Sequence, residues 1–228
     1  MTPGDGVCDA DAAAGIQCTL RAAIQEANAL PGHDTISFPV SPLSVSPASP
    51  LPALTDDAGA TIKGTGNIAV IAGYSAGDAA VGLDLQSDNN IVQGLIIQAF
   101  DGYGIRVWWS SGNLIGTDGD GTNDAIEKNV IVSNAEGGIF LMGGINRVAG
   151  NYIGTNATGT SAVPNGQGIY VEGALDCGTV IGVNGDGVGD AVEGNLISGN
   201  TSAGIAIHNS CITVAGNKIG VNATGEAG

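Results

Sequence analysis

From about residue 60 onward, single aliphatic positions alternate with small or polar ones, and Gly or Asn breaks the pattern every few residues. "N-x-I" opens four segments, at Asn129, Asn151, Asn195 and Asn217. Their third positions are Ile131, Ile153, Ile197 and Ile219, and Ile96 reads into the same column. The second position is unrestricted: Leu95, Val130, Tyr152, Leu196 and Lys218. A fixed aliphatic beside a variable neighbour predicts a strand with one face in and one face out. A second strand follows a glycine. It sets Ile105, Ile139, Ile169 and Ile205 inward, with Val107, Leu141, Val171 and Ile207 inward two residues later. A third strand is expected to turn Leu114, Val148, Val180 and Val214 inward, and two looser turns are expected between residues 60 and 93.

The pattern repeats. Residues 129–162 set over residues 195–228 without gaps give 15 identities in 34 positions, and residues 115–129 match residues 181–195 at the same offset of 66. Self-similarity of this kind dictates architecture. It predicts an all-β fold: a parallel β-helix (β-solenoid) of three short strands per coil of about 22 residues. A coil cannot bury its own apolar stripe, so its neighbours about 4.8 Å above and below must do so. The leading asparagines, stacked likewise, are expected to hydrogen-bond along their column. Loop insertions fall at about 117–128, 155–165 and 183–194, within a β-helix spanning 60–228.

Residues 1–59 read differently, as an N-terminal cap. Leu20, Ala23, Ile24, Ala27 and Leu30 have helical spacing, Thr19 can cap the start, and Pro31-Gly32 ends the run, so a helix is expected over residues 19–30. "PVSPLSVSPASPLPAL" follows and reads as extended chain.

Charge narrows the partners. The 228 residues carry 22 acids against 6 bases, a net charge of −16. That disfavours nucleic acid and anionic membrane surfaces. No apolar run approaches the ~20 residues of a membrane span, so no membrane insertion is expected. Met1 runs straight into "TPGDG", which reads as a mature form or a chain without its leader. The four cysteines, Cys8, Cys18, Cys177 and Cys211, are an even set that suits two disulfides and an oxidising compartment. Cys177 and Cys211 each precede a Thr-Val by two positions, which places them in one column on consecutive coils, within disulfide reach.

"CTLRAAIQEAN" (residues 18–28), with "GDGVCDAD" before it and "DTISF" after it, resembles the CSLREAI domain, which introduces right-handed parallel β-helix proteins of the bacterial and archaeal cell exterior. Thr19 and Ala22 are mild departures from the family form. "NLISGN", "GNYIGTNATGT" and "VPNGQGIYV" are similar to that family's repeats, so the resemblance covers nearly the whole chain. It implies a right-handed coil, a helix over its open N-terminal end, a Cys8–Cys18 bridge, and an extracellular or cell-surface location.

Candidate chemistry is thin. The outward positions of the second strand are Arg106, Phe140, Tyr170 and Ala206, then Trp108, Met142, Glu172 and His208. One acid beside one histidine is not the paired carboxylates of a glycosidase, so no catalytic residue is assigned. The same column gathers Trp108, Phe140, Met142 and Tyr170, with Arg106 and Trp109 nearby. Such a patch reads as a subunit interface, as a platform for stacking sugars, or as a face covered by the Pro/Ser-rich segment. "TDGDGTNDA" and "VNGDGVGDA" crowd Asp118, Asp120 and Asp124, then Asn184, Asp186 and Asp190. These oxygens suit calcium, or simply tight turns; no other cofactor is expected. Asn156, in "NAT", is a loop-like glycosylation acceptor. The functional expectation is a non-enzymatic extracellular solenoid that is adhesive or self-assembling, as a filament or surface layer. The chain stops part-way through a coil, which is expected to leave strand edges for end-to-end contact. The rival expectation is a carbohydrate-active enzyme or polysaccharide-binding module on the same fold.

Overall fold

A computed structural model describes residues 3–8, 18–38, 43–66, 69–173, 177–208 and 211–226. Among them, three parallel sheets wind into a right-handed β-helix of about six coils. Sheet one runs through Asp34–Ser37, Ala60–Lys63, Ile91–Gln93, Leu114–Gly116, Arg147–Ala149, Thr179–Gly182 and Ile212–Ala215. Sheet two runs through Leu43–Val45, Ala69–Ala72, Leu95–Gln98, Val130–Val132, Tyr152–Ile153, Leu196–Ile197 and Lys218–Ile219. Sheet three runs through Leu83–Leu85, Tyr103–Trp108, Gly137–Met142, Ile169–Glu172 and Ile205–His208. Each circuit of the chain visits the sheets in that order and rises by one strand.

The core is the stack of inward positions. In sheet one it is Ile36, Ile62, Val92, Ile115, Val148, Ile181 and Val214. In sheet two it is Val45, Ile71, Ile97, Ile131, Ile153, Ile197 and Ile219. Sheet three adds Ile105, Ile139, Ile169 and Ile205, with Val107, Leu141, Val171 and Ile207. In the middle coils these side chains are fully buried, whereas Ile207, Val214 and Ile219 in the last coil are 40–48% exposed.

Amide ladders hold the corners. Asn129 Nδ2 donates to Asn151 Oδ1 (2.9 Å), Asn151 to Asn195 (3.0 Å) and Asn195 to Asn217 (2.9 Å). A second ladder joins Asn90, Asn113 and Asn146, and a third joins Asn134, Asn165 and Asn200. Buried amides that satisfy one another and the adjacent backbone replace the water that a bend would otherwise need.

Three expectations shift by small steps. In sheet one, Leu114 and Val180 lie in the outward column with Arg147 and Thr213, and Ile115 and Ile181 point in. Leu-Ile and Val-Ile offer no alternation to choose a face, so the preceding Asn113, Asn146 and Thr179 set the register. Likewise Ile97, not Ile96, stacks under Ile131, because Leu95 takes the ladder position and its N–H donates to Asn129 Oδ1 (3.1 Å). Residues 60–93 hold one coil and the first strand of the next rather than two coils.

The helix is shorter than expected: α1 is Leu20–Ala27, with Thr19 Oγ1 accepting from Ala22 N and Asn28 closing it. Leu20, Ile24 and Ala27 join the core cluster beside Ile36, Phe38 and Leu54, so α1 lies over the first coil. Its polar residues tie it down. Arg21 donates to the Ser49 and Pro50 carbonyls, and Asn28 bonds Ala53 O and Thr55 N. Buried Glu26 accepts from the Gly4 and Val7 N–H groups. The first coil starts at Asp34, inside the segment read as cap, and Leu43–Val45 and Leu54 belong to it. Residues 39–42 of the Pro/Ser-rich run lie outside the described residues.

Candidate functional site

Both disulfides form: Cys8–Cys18 with Cα atoms 5.0 Å apart, and Cys177–Cys211 at 4.7 Å. The second joins consecutive coils, although the register there differs by one from the expected one. Thr179 pairs with Ile212 rather than Thr213, so Gly178 is an extra residue at that corner.

The outer face of sheet three carries the aromatic cluster. Phe140 is buried at its centre, its ring 5.2 Å from Tyr103, 5.9 Å from Trp108 and 5.5 Å from Tyr170. Tyr170 continues the row to His208, 5.2 Å away. Arg106 forks onto Asp84 (2.7 and 2.8 Å) and lies 5.2 Å from the Trp108 ring centroid. The Asp84 hydrogen bonds raise the guanidinium pKa further. Tyr103 is held above the usual phenol range by burial, and its oxygen accepts from Gln167. Tyr170 is also raised, by desolvation and then by the Glu172 carboxylate.

At the end of this strand Trp108 is 38% and Trp109 59% exposed, with half-buried Met142 one coil on. Trp109 sits in left-handed backbone (φ 52°), and among the described residues it is the only bulky one of the six non-glycine positions of that kind. Its ring edge occupies the space where a Cβ on Gly143 would fall, 2.7 Å from Cε3. Five of the chain's nine aromatic residues gather here. Leu43–Val45 and Leu54 belong to the first coil, where they pair with Ala69–Ile71 and Leu85.

The insertions at 117–128 and 183–194 are one device used twice. Each leaves sheet one at a glycine, Gly116 or Gly182, where a Cβ would meet a neighbouring carbonyl at 1.8 or 2.0 Å. Each ends in a short helix, α2 (Asp124–Glu127) or α3 (Asp190–Glu193). One coil separates them, yet they touch. Arg147 on that coil donates to Asp118 O (2.9 Å) and pairs with buried Glu193. Asp118, Asp120 and Asp124 converge within 4.8 Å, as do Asp186, Asp190 and Glu193. Asn184 lies against the second group: its Nδ2 donates to Asp186 Oδ2 (2.9 Å) and its N–H to Glu193 Oε2 (2.9 Å). Those carboxylate sets are ones a divalent cation can use. The Val188 N–H, then Asn184, pulls Asp186 below the usual carboxylate range. Burial, then Asp118, pushes Glu127 above it.

Between the two helices a cavity of about 290 Å³ opens onto Tyr152. The Lys128 ammonium lies 4.2 Å from that ring, and burial lowers its pKa. Asn156 organises the hairpin at 155–162, where its Oδ1 accepts from Thr160 N (2.9 Å) and Thr158 Oγ1 (3.1 Å).

Sequence reasoning located the aromatic face, both disulfide pairs and both acidic loops. It missed Glu193 as the buried acid of the second cluster and Arg147 as the strut between loops. The recurrence of Glu127 and Glu193 at the 66-residue offset was the available signal. Comparison with protein-family models, with curated proteins and with solved structures gives no match for this chain.

Two disulfides suit a compartment outside the reducing cytosol. Among the described residues, no helix is long and apolar enough to cross a membrane.

Proposed function

We propose that this chain is a non-enzymatic, extracellular or cell-surface β-solenoid that self-associates laterally through the aromatic face of sheet three. The observation that carries the reading is the exposed pair Trp108–Trp109, the second held in costly left-handed backbone on a rigid sheet edge. Indole rings desolvate well and dominate contact energetics. The resemblance of residues 18–28 to the CSLREAI domain supports the location.

A net charge of −16 opposes association at low ionic strength, and salt screens that repulsion. Sedimentation velocity at rising salt is expected to show a concentration-dependent oligomer. Trp108→Ala with Trp109→Ser is expected to abolish it while circular dichroism stays unchanged. A wild-type chain that sediments only as monomer at high concentration and moderate salt sinks the reading. Retention of the protein on a glycan column, lost in the same variant, would assign the rings to sugar stacking instead.

A further inference from the structure

The sequence contains two Asn-Gly steps, Asn165-Gly166 and Asn184-Gly185, and the fold treats them oppositely. Asn165 is buried inside an amide ladder. Its Oδ1 accepts from Asn134 N and Nδ2 (both 3.0 Å), and its Nδ2 donates to Ile131 O and Asn200 Oδ1 (both 2.9 Å). The Gly166 N–H is engaged as well, donating to Asn134 O at 2.9 Å. Asn184 stands exposed near the start of the second insertion, where its Nδ2 donates to Asp186 Oδ2 (2.9 Å). The Asp186 N–H donates to its Oδ1 (3.0 Å), which curls the side chain forward over the Gly185 peptide and polarises the amide carbonyl. Gly185 has φ +78°, open space where a Cβ would stand, and no hydrogen bond from its N–H among the described residues.

We infer that Asn184 is a spontaneous deamidation site in the folded protein, and that Asn165 is protected. The Gly185 backbone nitrogen attacks Asn184 Cγ and gives up its proton to solvent. The new N–C bond closes a succinimide, and the Cγ–Nδ2 bond breaks to release ammonia. Water then opens either ring carbonyl, leaving aspartate or isoaspartate at position 184.

The product has a local consequence. In the sister loop the position 66 residues earlier is already an acid, Asp118, so the aspartate product makes the two loops alike. The isoaspartate product instead adds a methylene to the backbone beside the Asn184 N–H that holds buried Glu193 Oε2 (2.9 Å). Glu193 in turn holds Arg147, the strut to the first loop. Ageing at this residue therefore loosens the contact between the loops and leaves the coils alone.

The test is peptide mapping by mass spectrometry of the full chain, kept native at mildly alkaline pH, beside a denatured sample. In the native chain the Asn184 peptide is expected to gain one mass unit progressively, and the Asn165 peptide none. In denaturant both are expected to change. Asn184→Gln should remove the native signal, and native Gly185→Ala should slow it severalfold. An isoaspartyl methyltransferase should label aged wild type and not Asn184→Gln. Equal rates at both sites in the native chain, or an Asn184 that changes only in denaturant, would overturn the inference.

Discussion

Replacing Asn151 by alanine removes one rung from the ladder that turns sheet one into sheet two. The side chain makes five hydrogen bonds in the interior. Its Oδ1 accepts from Asn129 N (3.2 Å) and Nδ2 (2.9 Å), and its Nδ2 donates to Ile115 O (2.8 Å), Ala149 O (3.0 Å) and Asn195 Oδ1 (3.0 Å). Ala149 O keeps the Thr117 N–H (3.0 Å), so it is not orphaned. The Asn129 N–H is, and Asn129 Nδ2 keeps Val92 O (2.8 Å) but loses the acceptor of its second hydrogen. Each unsatisfied buried N–H costs about 1–3 kcal/mol, so the loss should be about 2–6 kcal/mol. A domain of this kind has only about 5–15 kcal/mol in hand, so the shift is readily measured. Asn151→Asp should cost at least as much at neutral pH, because it keeps the acceptor and turns a carboxylate towards three oxygens. Urea titration followed by tryptophan fluorescence and circular dichroism reads both, with Asn156→Ala on the exposed hairpin as the control. If Asn151→Ala lost no more than that control, the ladders would be decoration and the strand pairing alone would hold the corners.

Arg147→Ala leaves Glu193 buried without its cation, at a cost of up to about 3–5 kcal/mol. Hydrogen exchange should rise in residues 117–128 and 183–194 and stay low in the sheets; a uniform rise would contradict the strut. Glu127, raised by burial, favours the fold in its protonated form. Its contribution is fully present below the ordinary carboxylate range and is lost as pH rises through the raised value. Glu127→Gln should therefore flatten that slope and exceed wild type in stability at neutral pH; an unchanged pH profile by thermal melting would refute it. If the carboxylate clusters take calcium, millimolar calcium should raise the melting temperature in wild type and less so in Asp120→Asn with Asp186→Asn. No shift would leave those residues as turn formers.

The coil period, the inward column of sheet three, that of sheet two from Ile131 onward, and the Asn129–Asn217 ladder were legible because one aliphatic stood beside a freely varying neighbour at each. Sheet one was not fully legible. Leu114-Ile115 and Val180-Ile181 are both aliphatic, and a strand whose neighbours are equally apolar carries no phase. The Asn90 and Asn134 ladders were hidden because coils of unequal length scatter their members across the sequence. The cap motif was readable as a helix, but not that Arg21, Glu26 and Asn28 each fasten it to a different stretch of backbone. The aromatic face emerged from register alone. The strut through Arg147 did not, since it joins loops separated by a whole coil.

The most direct test of the stacked register is peptide mapping of the native chain under non-reducing conditions. Stacking predicts that Cys177 is linked to Cys211, and the cap keeps Cys8 with Cys18. Cross-pairing between the cap and the later coils, or free thiols at Cys177 and Cys211, would contradict it.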